Sequence, residues 1–307
     1  MVPAMRIVVT GGSGFVGRQL AERLLAAGHQ LHLLGRAPKK GLPAAAEFSP
    51  WDPLAGTPPK TVIEGSDAVI HLAGEPLAQR WTEEAKRRIQ TSRTVGTANL
   101  VSGIAQTEQK PKILISASAI GYYGDRGDEE LKESSAPGKG FLADLCRDWE
   151  AAALTAKPLG LRVVLLRTGI VLGAKGGALE RMLPPFKFGL GGRIGSGEHW
   201  MSWIHADDAV GLIEFALQQQ SITGPLNLTA PNPVKNTEFT AALGKALSRP
   251  AILPIPVAAL RLLFGEMSQI LVTSQRVLPS AALKARYQFR YSHLGSALQQ
   301  ILASGAQ

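Results

Sequence analysis

The stretch Arg6–Gly17, "RIVVTGGSGFVG", restricts the fold more than any other part of the chain. A run of β-branched residues too short for a helix ends in glycines. Val16, Leu20 and Leu24 then recur at helical spacing, and Gly28 provides a stop. A second apolar run, "QLHLLGR" at 30–36, follows at once. Strand, glycine turn, helix and strand within about 30 residues make a βαβ unit, which requires a parallel sheet.

The alternation continues through "DAVIHLAG" (67–74), "KILISAS" (112–118) and "RVVLLRTGIVLG" (162–173), each almost wholly apolar. Strands covered on both faces read this way. Helical stretches at 82–106 and 141–156 separate them; in the second, Leu142, Leu145, Cys146, Trp149 and Ala153 share a face. From about 174 glycines and prolines thicken, and helical patterns at 205–219 and 237–248 flank "PLNLTA" (225–230). The expected fold class is α/β: a Rossmann-like, doubly wound parallel sheet with a smaller C-terminal substrate lobe. The nucleotide domain is expected at 1–173, with parts of 205–230 returning to it. The lobe is expected at 174–307, with a distinct tail at about 250–300 whose Leu260, Leu263 and Phe264 form its core or a dimer face.

Gly11, Gly14 and Gly17 are spaced to turn the chain tightly, admit a pyrophosphate and let the helix close on the strand. Gly12 adds freedom, and Ser13, Phe15 and Val16 complete the candidate phosphate loop. Unpaired N–H groups at the helix start would face the phosphates. At the end of the second strand an NAD site places an acid, but this chain has Gly35, Arg36, Lys39 and Lys40. A guanidinium suits a 2′-phosphate that a carboxylate would repel, so the expected cofactor is NADP(H).

Bulk properties narrow the partners. The 307 residues carry a formal charge of +9, yet the cations are scattered and no nucleic-acid signature accompanies them. No apolar run approaches the ~20 residues of a membrane span, and the N-terminus lacks a signal-peptide pattern. One cysteine, Cys146, excludes an internal disulfide framework. The expected partner is a small-molecule substrate, without nucleic acid or membrane, in a cytoplasmic protein that is a candidate homodimer. "EHWMSWIHADD" groups His199, His205, Asp207 and Asp208, but its spacing fits no zinc motif, and no metal is expected. One of the two aspartates is expected to cap the following helix.

The motifs "TGGSGFVG", "HLAGE", "SASAIGYYGD", "RTGIVLG" and "SWIHADDAV" together resemble the extended short-chain dehydrogenase/reductase proteins, the NAD-dependent epimerase/dehydratase family. The chain is most similar to the branch with a C-terminal domain of unknown function. The resemblance implies that Leu72, Ala73 and Gly74 pass beside the ribose and pyrophosphate, and that Arg93 faces the cofactor. It implies that Ser116 to Ser118 lie near the nicotinamide, with Thr168, Gly169 and Val171 on its far side.

Working members carry Tyr-x-x-x-Lys, and no tyrosine here has a lysine four residues on. Counted back from Glu150, the dyad positions hold Leu142 and Cys146. Ser118, Tyr122 and Tyr123 are the remaining candidate catalytic residues, the tyrosines needing a cation such as Arg126 or Lys139 to lower their pKa. Otherwise the tyrosines pack the pocket and Ser118 caps a turn. Three functions stay open: an NADP(H)-dependent oxidoreductase or epimerase-like enzyme with a non-standard proton donor, a non-catalytic NADP(H)-binding sensor, and a nucleotide-sugar epimerase.

Overall fold

In the computed structural model, which describes residues 3–174 and 176–304, seven strands form one parallel sheet. They are β1 (Arg6–Thr10), β2 (Gln30–Gly35), β3 (Glu47–Pro50), β4 (Ala68–His71), β5 (Ile113–Ala119), β6 (Arg162–Thr168) and β7 (Gly224–Leu228). Their order is β3-β2-β1-β4-β5-β6-β7, so the winding reverses between β1 and β4. Ligands of open α/β sheets bind at such a switch, beyond the strands' C-terminal ends.

Among the described residues the eight longest helices are α1 (Phe15–Ala26), α2 (Glu83–Ala105), α3 (Phe141–Leu154), α4 (Gly177–Lys187), α5 (Ala206–Gln218), α6 (Asn236–Leu247), α7 (Val257–Phe264) and α8 (Leu294–Ser304). Alternation along the strands decides which helices cover which face. Ile7, Val9, Ile70 and Ile115 pack under Leu20 and Leu24 of α1 and Leu212 and Ile213 of α5. Val8, Val69, Leu114 and Val163 face the other way, onto Leu100 and Ile104 of α2 and Ala153 of α3. Both faces are dry, which is why the strands read as unbroken apolar runs.

The apolar run expected at 162–173 is broken. β6 ends at Thr168, and Ile170–Leu172 is a separate strand paired with Trp203–His205. Gly169 makes the turn where a side chain would strike the Ser202 carbonyl. The chain then builds a second core, with Leu179 and Phe186 of α4, Phe239 and Leu243 of α6 and Leu298 and Ile301 of α8 packed around Trp203. Helix α5 and strand β7 rejoin the sheet.

Two local expectations are corrected. His205, not Asp207 or Asp208, caps α5: its side chain accepts the Asp207 N–H at 3.0 Å, while Asp208 accepts the N–H groups of Arg290 and Tyr291, both at 2.8 Å. In α7 only Leu260 is buried; Leu263 is 66% and Phe264 38% exposed, so these two lie outside the lobe core.

Candidate functional site

The β1–α1 turn is closed by a hydrogen bond from the Gly14 N–H to the Gly11 carbonyl at 2.9 Å. Gly11 has φ +74°, and a side chain there would meet the backbone of Leu72 and Ala73 at 2.6–2.7 Å, so the β4 loop lies directly against the turn. A side chain on Gly17 would overlap the Gly11 carbonyl; at Gly14 it would meet only that oxygen, at 3.3 Å. Gly14 is thus crowded far less than Gly17, by one backbone oxygen alone. It is the N-cap of the 12-residue α1, which has neither a capping side chain nor an acid in its first turn. The free N–H groups and dipole suit a phosphate.

Around this turn, Gly12 backs onto Leu33, the Ser13 carbonyl accepts from Arg18 Nε at 3.1 Å, and Val16 packs against the sheet. The Phe15 ring lies over the backbone of Gly173, Gly176 and Gly177, locking α1 to the segment after Val171. At the end of β2, Gly35 is half-buried, whereas Arg36, Lys39 and Lys40 are exposed. Among the described residues these three cations have no hydrogen-bond or ion-pair partner.

Beneath β4 lies a buried polar relay. His71 Nδ1 is 2.6 Å from Thr10 Oγ1, His71 Nε2 is 3.1 Å from Thr97 Oγ1, and Trp149 donates to that same Thr97 oxygen at 3.0 Å. The Ala73 N–H donates to Thr10 Oγ1 at 3.3 Å, which ties the β4 loop to the turn. Burial pulls His71 down to about 4 and keeps it neutral. On α2, Arg93 is only 7% exposed, under Gly74 and 4.9 Å from the Trp149 ring.

Register places the nicotinamide-side candidates side by side, with Ser116 opposite His71 and Ser118 opposite Arg167. Ser116 is buried at the sheet edge. Ser118 Oγ donates to Glu150 Oε1 at 2.7 Å. Arg167 grips the same carboxylate with Nε and Nη2, both at 2.8 Å, and donates to the Tyr123 hydroxyl at 3.0 Å. Tyr123 in turn donates to Asn227 Oδ1 at 2.7 Å and is wholly buried.

Burial pushes the Tyr123 phenol up to about 12, against the pull of Arg167. Of the expected helper cations, Arg126 is held by Glu129 at 2.6–2.8 Å, and the guanidinium against both tyrosine rings is that of Arg167. Its guanidinium stacks 3.4 Å over the Tyr122 ring. Tyr122 is half-buried, and among the described residues its hydroxyl has no hydrogen-bond partner.

Arg167, Glu150 and Asn227 were not among the sequence candidates. The signal for them was a cation inside the apolar run "RVVLLRTG" and an acid on the buried stripe of α3. The turn carrying Tyr122 is clamped from the C-terminal segment. Gln275 Nε2 donates to the Ile120 and Gly124 carbonyls at 2.8 and 3.0 Å, and Arg276–Val277 pairs with Glu130–Leu131. Cys146 is buried beside Ser118 and Ala119, and desolvation pushes its thiol up to about 12.

The profile of the NAD dependent epimerase/dehydratase family matches residues 7–228, and that of a domain of unknown function, DUF1731, matches residues 255–301. The latter span includes the Gln275–Val277 clamp. The chain is 42% identical to the chloroplastic epimerase family protein SDR39U1 homolog of Arabidopsis thaliana, over 97% of this chain and 87% of that one. It is 38% identical to the epimerase family protein YfhF of Bacillus subtilis, over 97% and 98%. The crystal structure of human epimerase family protein SDR39U1 with NADPH superimposes with a TM-score of 0.87 at 36% identity, over 97% of this chain and 99% of that one. No helix of the described residues is long and apolar enough to cross a membrane. The chain belongs to the NAD dependent epimerase/dehydratase family.

Proposed function

We propose that this protein binds NADP(H) across the C-terminal edge of its sheet and exchanges a hydride with a small-molecule carbonyl or alcohol, as an oxidoreductase or epimerase-like enzyme with a non-standard proton donor. One juxtaposition carries the reading: a closed glycine turn at an uncapped, acid-free helix start, beside the unpartnered Arg36, Lys39 and Lys40. The first suits a pyrophosphate and the second a 2′-phosphate. The human relative crystallised with NADPH supports it.

The residues divide the work. Gly11 to Gly17 hold the pyrophosphate, Gly35, Arg36 and Lys39 the adenosine end, and Leu72, Ala73, Gly74 and Arg93 the central riboses. Ser116 and Val171 flank the nicotinamide. When bound, such a cofactor supplies hydride exchange.

Tyr122, with its free hydroxyl and a ring plane fixed by Arg167, exchanges the proton with the substrate oxygen. Ser118 has committed its proton to Glu150, so it offers the cleft a lone pair and accepts a hydrogen bond from the ligand. Tyr123, buried and bonded on both sides, positions Arg167. We place the protein in the cytoplasm, acting on a soluble small molecule.

Fluorescence titration tests the cofactor. Arg36→Ala is expected to weaken NADPH binding by about tenfold and to leave NADH binding unchanged, as loss of one charge-assisted pair should. An unchanged NADPH preference rejects the assignment of Arg36. Turnover across aldehydes, ketones and UDP-sugars tests the chemistry: Tyr122→Phe should abolish it without altering NADPH affinity.

The second reading, a non-catalytic NADP(H) sensor, draws on the locked Ser118–Glu150–Arg167–Tyr123 network and on Leu142 and Cys146 at the dyad positions. Binding without turnover on the whole panel selects it, and UDP-sugar turnover selects a nucleotide-sugar epimerase.

A further inference from the structure

Tyr122 is carried by a single 3-10 turn, Ile120–Tyr123, closed from within by a hydrogen bond from the Gly124 N–H to the Gly121 carbonyl at 3.0 Å. The Gly138 N–H holds the middle of the turn, at the Tyr122 carbonyl, at 2.9 Å. The two ends are held by one side chain that lies 155 and 151 residues away in sequence. Gln275, 8% exposed, spends both hydrogens of its Nε2 on the Ile120 and Gly124 carbonyls, at 2.8 and 3.0 Å. Because both partners are acceptors, only the NH2 group can face them.

The neighbours of Gln275 extend this hold. The Ser274 N–H donates to Asp125 Oδ1 at 3.3 Å, and the Ser274 carbonyl accepts the Arg126 N–H at 3.1 Å. On the opposite side, Ser202 Oγ donates to the Gln275 carbonyl at 2.7 Å and accepts the Val277 N–H at 2.8 Å. The Ser202 carbonyl in turn accepts the Ile170 N–H at 2.8 Å, just beyond the end of β6. Asn227 Nδ2, on β7, donates to the Leu278 carbonyl at 2.9 Å, while its Oδ1 receives the Tyr123 hydroxyl. Ser274–Leu278 therefore ties the Tyr122 turn to β6 and β7, the strands that supply Arg167 and Asn227. Among the described residues no hydrogen bond joins it to the glycine turn at Gly11–Gly17.

We propose that Ser274–Leu278, inside the span matched by the domain of unknown function, completes the active site by fixing the Tyr122 turn, with Gln275 as the positioning residue. The inference rests on the reading above in which Tyr122 exchanges the proton. Proton transfer is sensitive to placement, and a shift of ~1 Å costs about 10²-fold in rate. Gln275 sets the two ends of the turn, and the Arg167 guanidinium sets the plane of the ring. Turnover therefore depends on Gln275, and NADP(H) affinity does not.

Hydrogen exchange of the full chain, read on a peptide spanning 119–125, tests this together with kinetics on the panel of aldehydes, ketones and UDP-sugars. Gln275→Met keeps the length of the side chain and removes both donors. It should speed exchange in that peptide about tenfold, leave the peptide spanning Gly11–Gly17 unchanged, and lower kcat about tenfold with NADPH affinity intact. Gln275→Glu has the same shape but a donor only when protonated, so its turn should regain protection as pH falls from about 7.5 to about 5.5. Gln275→Met cannot show that recovery, and Gln275→Glu decides the matter where Gln275→Met fails to fold. Unchanged exchange at the turn overturns the proposal, as does faster exchange spread over the sheet with no excess at the turn, the mark of a packing role. A loosened turn with undiminished kcat rejects the inference alone. Turnover that is absent, or untouched by Tyr122→Phe, rejects Tyr122 as the donor, and the inference falls with it.

Discussion

At Gly17 a methyl group would overlap the Gly11 carbonyl oxygen, while at Gly14 it would stand 3.3 Å from that same oxygen and touch nothing else. Helix–strand closure thus requires a glycine at 17 far more strictly than at 14, where the proposed pyrophosphate contact is the stronger demand. Gly17→Ala should cost about 1–3 kcal/mol of stability by overpacking, along with cofactor affinity. Gly14→Ala should leave the urea midpoint nearly unchanged and still weaken NADPH. Equal loss of stability in both variants would refute the distinction.

The buried imidazole of His71 makes stability depend on pH. Its folded pKa is about 4 against an unfolded value near 6.5, so the unfolded chain binds the extra proton between these values. Stability from this group is complete above pH 6.5 and falls as pH drops toward 4, amounting to about 2 kcal/mol lost by pH 5. Urea unfolding at pH 7.5 and 5 should show a smaller loss, by about that amount, in His71→Gln.

Among the elements, β6 and α3 are joined by the Arg167–Glu150 pair, whose side chains are 3% and 7% exposed. Removing one partner leaves the other charge buried, so Glu150→Ala should destabilise by about 3–5 kcal/mol, whereas Glu150→Leu with Arg167→Met should recover much of that loss. A double variant no better than the single would show that the pair's neighbours, Ser118 and Tyr123, depend on it instead.

The same pair marks where sequence reading stopped. The glycine turn was legible because its partners lie within seven consecutive residues. The main strands and their parallel arrangement followed from apolar runs with helices between them. Strand β3 was missed because it is a four-residue edge strand ending in Pro50, with little apolar pattern. The polar network was missed because Ser118 meets Glu150 across 32 residues and Tyr123 meets Asn227 across 104. No spacing rule connects residues whose proximity comes from sheet register.

For the molecule as a whole, a formal charge of +9 acts on any polyanion that approaches. The cations are dispersed along the chain, so the long-range attraction is general, and on the function proposed above the strand end with Arg36, Lys39 and Lys40 distinguishes one dinucleotide from another. Salt separates these contributions, because screening grows as the Debye length shrinks from about 30 Å at 0.01 M to about 8 Å at 0.15 M. Stopped-flow association rates should fall with salt for both NADPH and NADH, more steeply for NADPH because it carries the additional phosphate. Between ~0.02 and ~0.2 M the expected decline is several-fold for NADPH and about half as large on a logarithmic scale for NADH. Ala at both Arg36 and Lys39 should bring the two slopes together while the common decline persists. Parallel slopes in the unaltered protein would mean that the basic strand end does not feel the extra phosphate, and that cofactor choice is made elsewhere in the cleft.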